Sequence, residues 1–120
     1  MKILVVDDSK SVHNFVKICL NDANVELEFA NDGVEALERA ATGGIDLILL
    51  DWEMPNKNGI DTLIELRGAG NETPVIMLTS RNDPEDIAKA IQNGAQDYIM
   101  KPFPQDILTQ KLEMLMGLEI

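Results

Sequence analysis

The stretch Leu47-Ile48-Leu49-Leu50-Asp51-Trp52-Glu53-Met54-Pro55 carries the strongest structural signal in the chain. Four consecutive apolar residues, bounded by a charge before them and by a proline-containing loop after them, are typical of a strand buried on both faces of a parallel sheet. The strand ends at Asp51. In an open parallel sheet with helices on both faces, ligands bind at the carboxyl ends of the strands. We therefore expect the Asp51 carboxylate to lie at a functional edge.

Three other apolar segments also end in side chains that can do chemistry. They are Ile3-Leu4-Val5-Val6 before Asp7 and Asp8, Val75-Ile76-Met77-Leu78 before Thr79, and Asp97 to Met100 before Lys101. A fifth, alternating segment from Val25 to Ala30 suits a strand near the edge of a sheet. Because parallel strands share one carboxyl edge, we expect three carboxylates to converge there.

Amphipathic helical patterns separate these strands. The expected helices are Ser9 (cap) to Leu20, Val34 to Ala41, Gly59 to Arg67, Pro84 to Gly94, and one that begins at Pro104 or Gln105. We expect Cys19 in the core, His13 towards solvent, Ile87, Ala90 and Ile91 buried in the fourth helix, and Leu108, Leu112 and Leu115 on one face of the last. Strict alternation with short connections predicts one α/β domain over residues 1–120, with a doubly wound five-stranded parallel sheet.

Composition restricts the classes of function. Ten basic against 21 acidic residues give a net charge of −11, which argues against direct nucleic-acid binding. No stretch approaches the roughly 20 apolar residues of a membrane span, and Asp7 and Asp8 interrupt the first apolar run too early for a signal peptide. The single cysteine cannot form an internal disulfide. We expect a cytoplasmic protein.

The convergence of carboxylates has an energetic consequence. Two like charges roughly 4 Å apart cost on the order of 4 kcal/mol at an effective dielectric constant of about 20. That cost is large against a total stability of roughly 5–15 kcal/mol. Oxygen ligands without histidine or cysteine favour a hard divalent cation, and Mg²⁺ typically takes one or two carboxylates together with water and a phosphate. The pattern predicts an Mg²⁺-dependent phosphoryl site.

Taken together, Asp7-Asp8, Asp51, Thr79 and Lys101-Pro102 at their strand ends resemble the receiver domains of two-component response regulators. The stretch Asp51-Trp52-Glu53-Met54-Pro55-Asn56 is most similar to the CheY-like, single-domain members. The resemblance covers the whole chain and implies the flavodoxin-like (βα)5 fold with strand order 2-1-3-4-5.

The resemblance also implies a role for each matched residue. Asp51 would be the phosphorylated nucleophile. The Thr79 hydroxyl would donate a hydrogen bond to a phosphoryl oxygen, and Lys101 would place a positive charge beside one. Asp8, Asp51 and the backbone carbonyl of Glu53 would bind Mg²⁺ directly, and Asp7 through a coordinated water. Such a protein is a signalling switch that catalyses its own phosphorylation and dephosphorylation, and is not otherwise an enzyme.

Two further pairs of residues follow from the resemblance. Thr79 and Tyr98 would move on phosphorylation and alter the surface formed by the last two helices and the fifth strand. Family members vary at the positions held here by Glu53 and Arg81. We expect these two side chains to pair across the site, to screen the acyl phosphate from water and so to slow self-dephosphorylation.

The implied phosphodonor is a histidine kinase or a phosphotransfer protein. Because the chain ends soon after the fifth helix, we expect a stand-alone regulator whose output is a protein contact, with the flagellar motor in chemotaxis as the favoured target. Two alternatives stay open. One is a pseudo-receiver that binds partners without being phosphorylated. The other is a phosphatase of the haloacid-dehalogenase type, which expects its second aspartate two positions after the first, whereas Asp7 and Asp8 are adjacent.

Overall fold

Five parallel strands form one sheet in a computed structural model that describes residues 1–21 and 24–117. The strand order is β2-β1-β3-β4-β5, which confirms the order implied by the resemblance. The strands are β1 Lys2–Val6, β2 Glu26–Ala30, β3 Leu47–Leu50, β4 Val75–Thr79 and β5 Asp97–Met100. The helices are α1 Lys10–Cys19, α2 Gly33–Ala41, α3 Gly59–Gly68, α4 Pro84–Gln92 and α5 Gln105–Met116. Most of these bounds agree with the sequence expectation within two residues.

The core lies on both faces of the sheet because successive side chains of a strand point to opposite faces. Leu4, Val6, Ile48 and Leu50 face the layer of α2, α3 and α4. Their neighbours in the same strands pack against α1 and α5 and include Ile3, Val5, Leu47 and Leu49. Every residue of β3 and β4 is buried, as the continuous apolar runs predict.

Polar side chains fix where the helices begin. Ser9, Asp32, Asn58 and Asp83 each accept a hydrogen bond from a backbone amide in the first turn of α1, α2, α3 and α4. At the far ends of α2 and α4, Gly43 and Gly94 adopt positive φ angles and let the chain turn back towards the sheet. No helix in the described part of the chain is long and apolar enough to cross a membrane.

Two expectations about helix faces were wrong. His13 is 9 % exposed, because a helical side chain leans towards the helix N-terminus and brings the Nε2 atom to 2.7 Å from the Asp7 carbonyl oxygen. Its ring also packs 4.9 Å from that of Phe29.

Ile91 is 46 % exposed, because α4 packs beside the edge strand β5, and part of the apolar stripe of α4 has no sheet beneath it. Cys19, Leu108 and Leu112 are buried as expected, whereas Leu115 is partly exposed.

Candidate phosphoryl-transfer site

Three carboxylates meet at the carboxyl edge of the sheet, after the neighbouring interior strands β1 and β3. Asp7 and Asp8 follow β1 and Asp51 follows β3, and ligand atoms of all three lie within 4.8 Å of one another. Asp7 and Asp51 are 1 % and 6 % exposed, whereas Asp8 faces solvent. The convergence expected from the strand endings is therefore present.

Lys101, directly after β5, joins two of these carboxylates. Its Nζ atom lies 2.6 Å from Asp7 Oδ2 and 3.5 Å from Asp51 Oδ2. The Lys101 amide donates to the Thr79 carbonyl, so pairing of β5 with β4 sets the position of the side chain. A positive charge thus sits beside two buried acids, where the interaction is screened less than at the surface.

The Asp51 carboxyl is held by its own backbone and by its neighbours. The Asp51 amide donates to the Val6 carbonyl, and the Trp52 amide donates to Asp51 Oδ1 at 2.8 Å. Burial raises the pKa of the Asp51 carboxyl above its ordinary value and the Asp7 charge raises it further, while Lys101, the Trp52 amide and the Thr79 hydroxyl act in the opposite direction. Keeping Asp51 ionised in this site therefore costs free energy, and a bound cation would reduce that cost.

The donor set fits Mg²⁺. The three clustered groups are carboxylates, and the backbone carbonyl of Glu53 lies on the loop that follows Asp51. Hard oxygen ligands of this kind suit Mg²⁺, and two buried acids close to one another give a divalent cation an electrostatic reason to bind.

Arg81 lies beside the site and contacts the loop that follows Asp51. Its guanidinium forms an ion pair with Glu53 and another with Asp86 Oδ2 at 3.2 Å, and it stacks 4.8 Å from the centre of the Trp52 ring. The expected pairing of Glu53 with Arg81 is thus present in the geometry. The contact of Arg81 with Asp86 of α4 was not anticipated, because sequence spacing alone does not show that the β4–α4 loop folds back on its helix.

Tyr98 connects β5 to the same loop. Its hydroxyl donates to the Arg81 carbonyl at 2.6 Å, and burial, with the nearby Asp86 charge, raises its pKa to about 12. The Arg81 amide donates in turn to Thr79 Oγ1 at 3.3 Å. Thr79 is fully buried and Tyr98 is half-buried, and both side chains bond the backbone of Arg81 in the β4–α4 loop.

Comparison with known protein families agrees with the resemblance found in the sequence. A family model described as "Response regulator receiver domain" matches residues 3–113. The transcriptional regulatory protein DltR of Streptococcus agalactiae is 39 % identical over 114 residues, which are 95 % of this chain and 51 % of DltR. The chain thus spans about half the length of this curated relative.

The similar solved structures include two receiver-like proteins that match over nearly their whole length. The receiver domain of the Francisella response regulator 1452 has a TM-score of 0.90 and 35 % identity, covering 97 % of this chain and 96 % of that one. The chemotaxis protein CheY4 of Vibrio cholerae has a TM-score of 0.87 and 35 % identity, covering 95 % of this chain and 97 % of its own.

Proposed function

Since the chain belongs to the response regulator receiver domain family, we propose that Asp51 is its phosphoacceptor and that the acidic edge binds Mg²⁺. The Asp51 carboxylate attacks the phosphorus of a phosphohistidine on a kinase or a phosphotransfer protein. An O–P bond forms, the N–P bond breaks, and the histidine takes up a proton as it leaves. The product is an acyl phosphate on Asp51.

One observation carries this proposal: the buried Asp51 carboxylate shares Lys101 with Asp7 at the edge where Asp8 also lies. Phosphoryl transfer needs little covalent chemistry from a protein, so its catalysis depends on position and on neutralisation of charge. Lys101 supplies a fixed positive charge beside the attacking oxygen, and the Thr79 hydroxyl is available to donate to a phosphoryl oxygen.

Mg²⁺, when bound, would neutralise the charge that accumulates on the phosphoryl oxygens. Asp8, Asp51 and the Glu53 carbonyl would hold it directly, and Asp7 through a water molecule. Lys101 pairs with Asp7, so its positive charge lies beside Asp51 as well.

Phosphorylation would also act as a switch. An acyl phosphate adds charge and acceptor oxygens next to Thr79, whose Oγ1 already accepts the Arg81 amide. If Thr79 turned to the phosphate, this loop would shift, and the bond from Tyr98 to the Arg81 carbonyl would be strained or lost. The surface of α4, β5 and α5, which exposes Ile91, Met100 and Ile107, would present the change to a downstream protein. Similarity to the chemotaxis protein CheY4 supports the flagellar motor as that downstream protein, whereas similarity to the transcriptional regulatory protein DltR supports an output in gene regulation.

Intact mass after incubation with acetyl phosphate and Mg²⁺ tests the proposal. We expect a gain of one phosphoryl group that disappears in Asp51→Asn and when EDTA replaces Mg²⁺. Asp61→Asn, which alters an exposed acid in the first turn of α3, is the matched control and should be phosphorylated like the wild type. A folded protein that gains no phosphoryl group, and that binds neither Mg²⁺ nor beryllofluoride, would be a pseudo-receiver and would refute the proposal.

A further inference from the structure

Gly59, the first residue of α3, lies so close to the backbone of Asp51 that a residue with a side chain would not fit at this position. A Cβ atom at this position would lie 2.8 Å from the Asp51 carbonyl carbon, 2.9 Å from Trp52 Cα, and closer still to the Asp51 carbonyl oxygen. Non-bonded carbon atoms normally lie about 3.5–4.0 Å apart. Gly59 does not have a positive φ angle, so space alone, and no unusual backbone conformation, requires glycine here.

The α3 side of this contact is firmly held. Ile60, Leu63 and Leu66 are buried in the core, and the Gly59 amide donates to the Trp52 carbonyl at 2.8 Å. The other side is the Asp51–Trp52 peptide, which lies just beyond the last residue of β3. The Asp51 amide bonds the Val6 carbonyl and Trp52 is buried, so both sides of the contact are held, and we expect this peptide to take up part of the shift that an added methyl group requires.

Displacement of that peptide would move the reactive carboxylate. Asp51 Oδ1 accepts the Trp52 amide of the same peptide at 2.8 Å, and Oδ2 lies 3.5 Å from Lys101 Nζ. A shift of the peptide thus changes the relation of the Asp51 carboxylate to Lys101 and to Asp7 and Asp8. Misplacement of a reacting group by about 1 Å can cost roughly 100-fold in rate.

We propose that Gly59 is a positioning residue, whose missing side chain lets α3 fix the Asp51 peptide and so orient its carboxylate for phosphoryl transfer. This inference rests on the proposed function of Asp51. A residue needed only for packing would affect stability alone. A positioning role for Gly59 means that substitution also changes the phosphorylation rate of the molecules that remain folded.

Gly33 provides the matched control. It is also the first residue of a helix, and a Cβ atom there would lie 2.8 Å from the Lys57 carbonyl oxygen and closer still to Thr62 Oγ1. The crowding is comparable, yet no Asp51 atom is among the nearest neighbours. Leu66→Ala serves as a second control, because it lowers stability by removing buried methyl groups without adding an atom near Asp51.

The test compares the wild type with Gly59→Ala, Gly33→Ala and Leu66→Ala. For each we would measure urea stability, the rate of phosphorylation by acetyl phosphate at saturating Mg²⁺ per folded molecule, and the ¹³C shift of the Asp51 carbonyl. We expect Gly59→Ala to be phosphorylated roughly 10- to 100-fold more slowly and to change that shift. Both controls should stay within twofold of the wild type, whatever stability they lose.

The outcomes separate the two proposals. A wild type that is not phosphorylated on Asp51 refutes the proposed function. A phosphorylated wild type with Gly59→Ala at the same rate per folded molecule overturns the positioning role alone. Should Gly59→Ala be partly unfolded, a stabilising osmolyte restores the folded population for the same measurement. A variant that stays unfolded even then would assign Gly59 to the fold and would also overturn the positioning role.

Discussion

Asp51 is an ionisable side chain in a place where its charge is costly. It is almost fully buried, it faces Asp7, and it shares Lys101 with that residue. Asp51→Asn removes the buried charge while keeping the shape of the side chain, and Lys101 remains paired with Asp7. We expect the variant, without divalent metal, to be more stable than the wild type at neutral pH by about 1 kcal/mol. Urea unfolding followed by Trp52 fluorescence measures this difference.

The stability gained in Asp51→Asn should depend on pH in a defined direction. Because the native pKa of Asp51 is raised, the native state binds this proton more tightly than the unfolded chain does. The wild type therefore loses stability relative to the variant as pH rises from the unfolded value of about 3.9 through the native pKa. The difference should be largest above the native pKa and vanish below about pH 3.9. A difference that grows on acidification would contradict the raised pKa.

Arg81 should govern how long the acyl phosphate survives. Arg81 pairs with Glu53 and stacks on Trp52, the two residues nearest Asp51 in the loop after β3, and we expect it there to screen the acyl phosphate from water. We expect Arg81→Ala to lose the phosphoryl group several-fold faster, and roughly tenfold would correspond to about 1.4 kcal/mol of activation free energy. Arg39→Ala, which removes an arginine that pairs with Glu28 and Glu35, is the control. Equal decay rates of phosphorylated Arg81→Ala and wild type would refute the screening role.

The sequence alone predicts the location of some of the residues at the site but not of others. The shared location of five residues could be predicted, because each lies at or within two residues of the end of a strand and parallel strands share one carboxyl edge: Asp7, Asp8, Asp51, Thr79 and Lys101. Gly59 and His13 could not, since their roles depend on which backbone atoms lie opposite them after folding.

Arg67 shows the same limit at the opposite end of the sheet. Its guanidinium donates to the carbonyls of Asn71, Thr73 and Gly94, three groups that are distant along the chain or in a loop. The sequence shows only an arginine in the last turn of a helix, where it is equally typical of a charge that complements the helix dipole.

At the scale of elements, α4 is less firmly attached than α3. Helix α3 buries five residues, whereas α4 buries only Ala90 among its nine. The ion pair of Arg81 with Asp86 tethers its first turn. Few buried contacts imply a low free energy of local opening, so we expect backbone amides of α4 to exchange with deuterium faster than those of α3. Exchange followed by mass spectrometry checks this, and equal protection of the two helices would contradict it.

The same comparison explains why Ile91 was wrongly expected to be buried. A helical apolar stripe specifies which residues share a face, but not how much surface lies opposite that face. Beside the edge strand β5, only Ala90 finds full cover. The strands carry no such ambiguity when they are central, and the continuous apolar runs of β3 and β4 were assigned correctly for this reason.

At the scale of the whole molecule, one sheet joins two apolar layers. Trp52 belongs to the layer of α2, α3 and α4, and Leu112 to the layer of α1 and α5. Leu112→Ala removes a fully buried side chain and should cost about 2–5 kcal/mol. If the layers unfold as one unit, Trp52 fluorescence and circular dichroism should shift to the same lower urea midpoint. A fluorescence midpoint that stays at the wild-type value would show that the two layers unfold independently.

The most direct measurement locates the phosphoryl group itself. Borohydride reduces an acyl phosphate to an alcohol, so a phosphorylated aspartate becomes homoserine and keeps a mass mark after digestion. We expect homoserine at position 51 after treatment with acetyl phosphate and Mg²⁺, and none when EDTA replaces the metal. Homoserine at Asp7 or Asp8 in place of Asp51, or labelling that persists without metal, would contradict the assignment of Asp51 as the Mg²⁺-dependent phosphoacceptor.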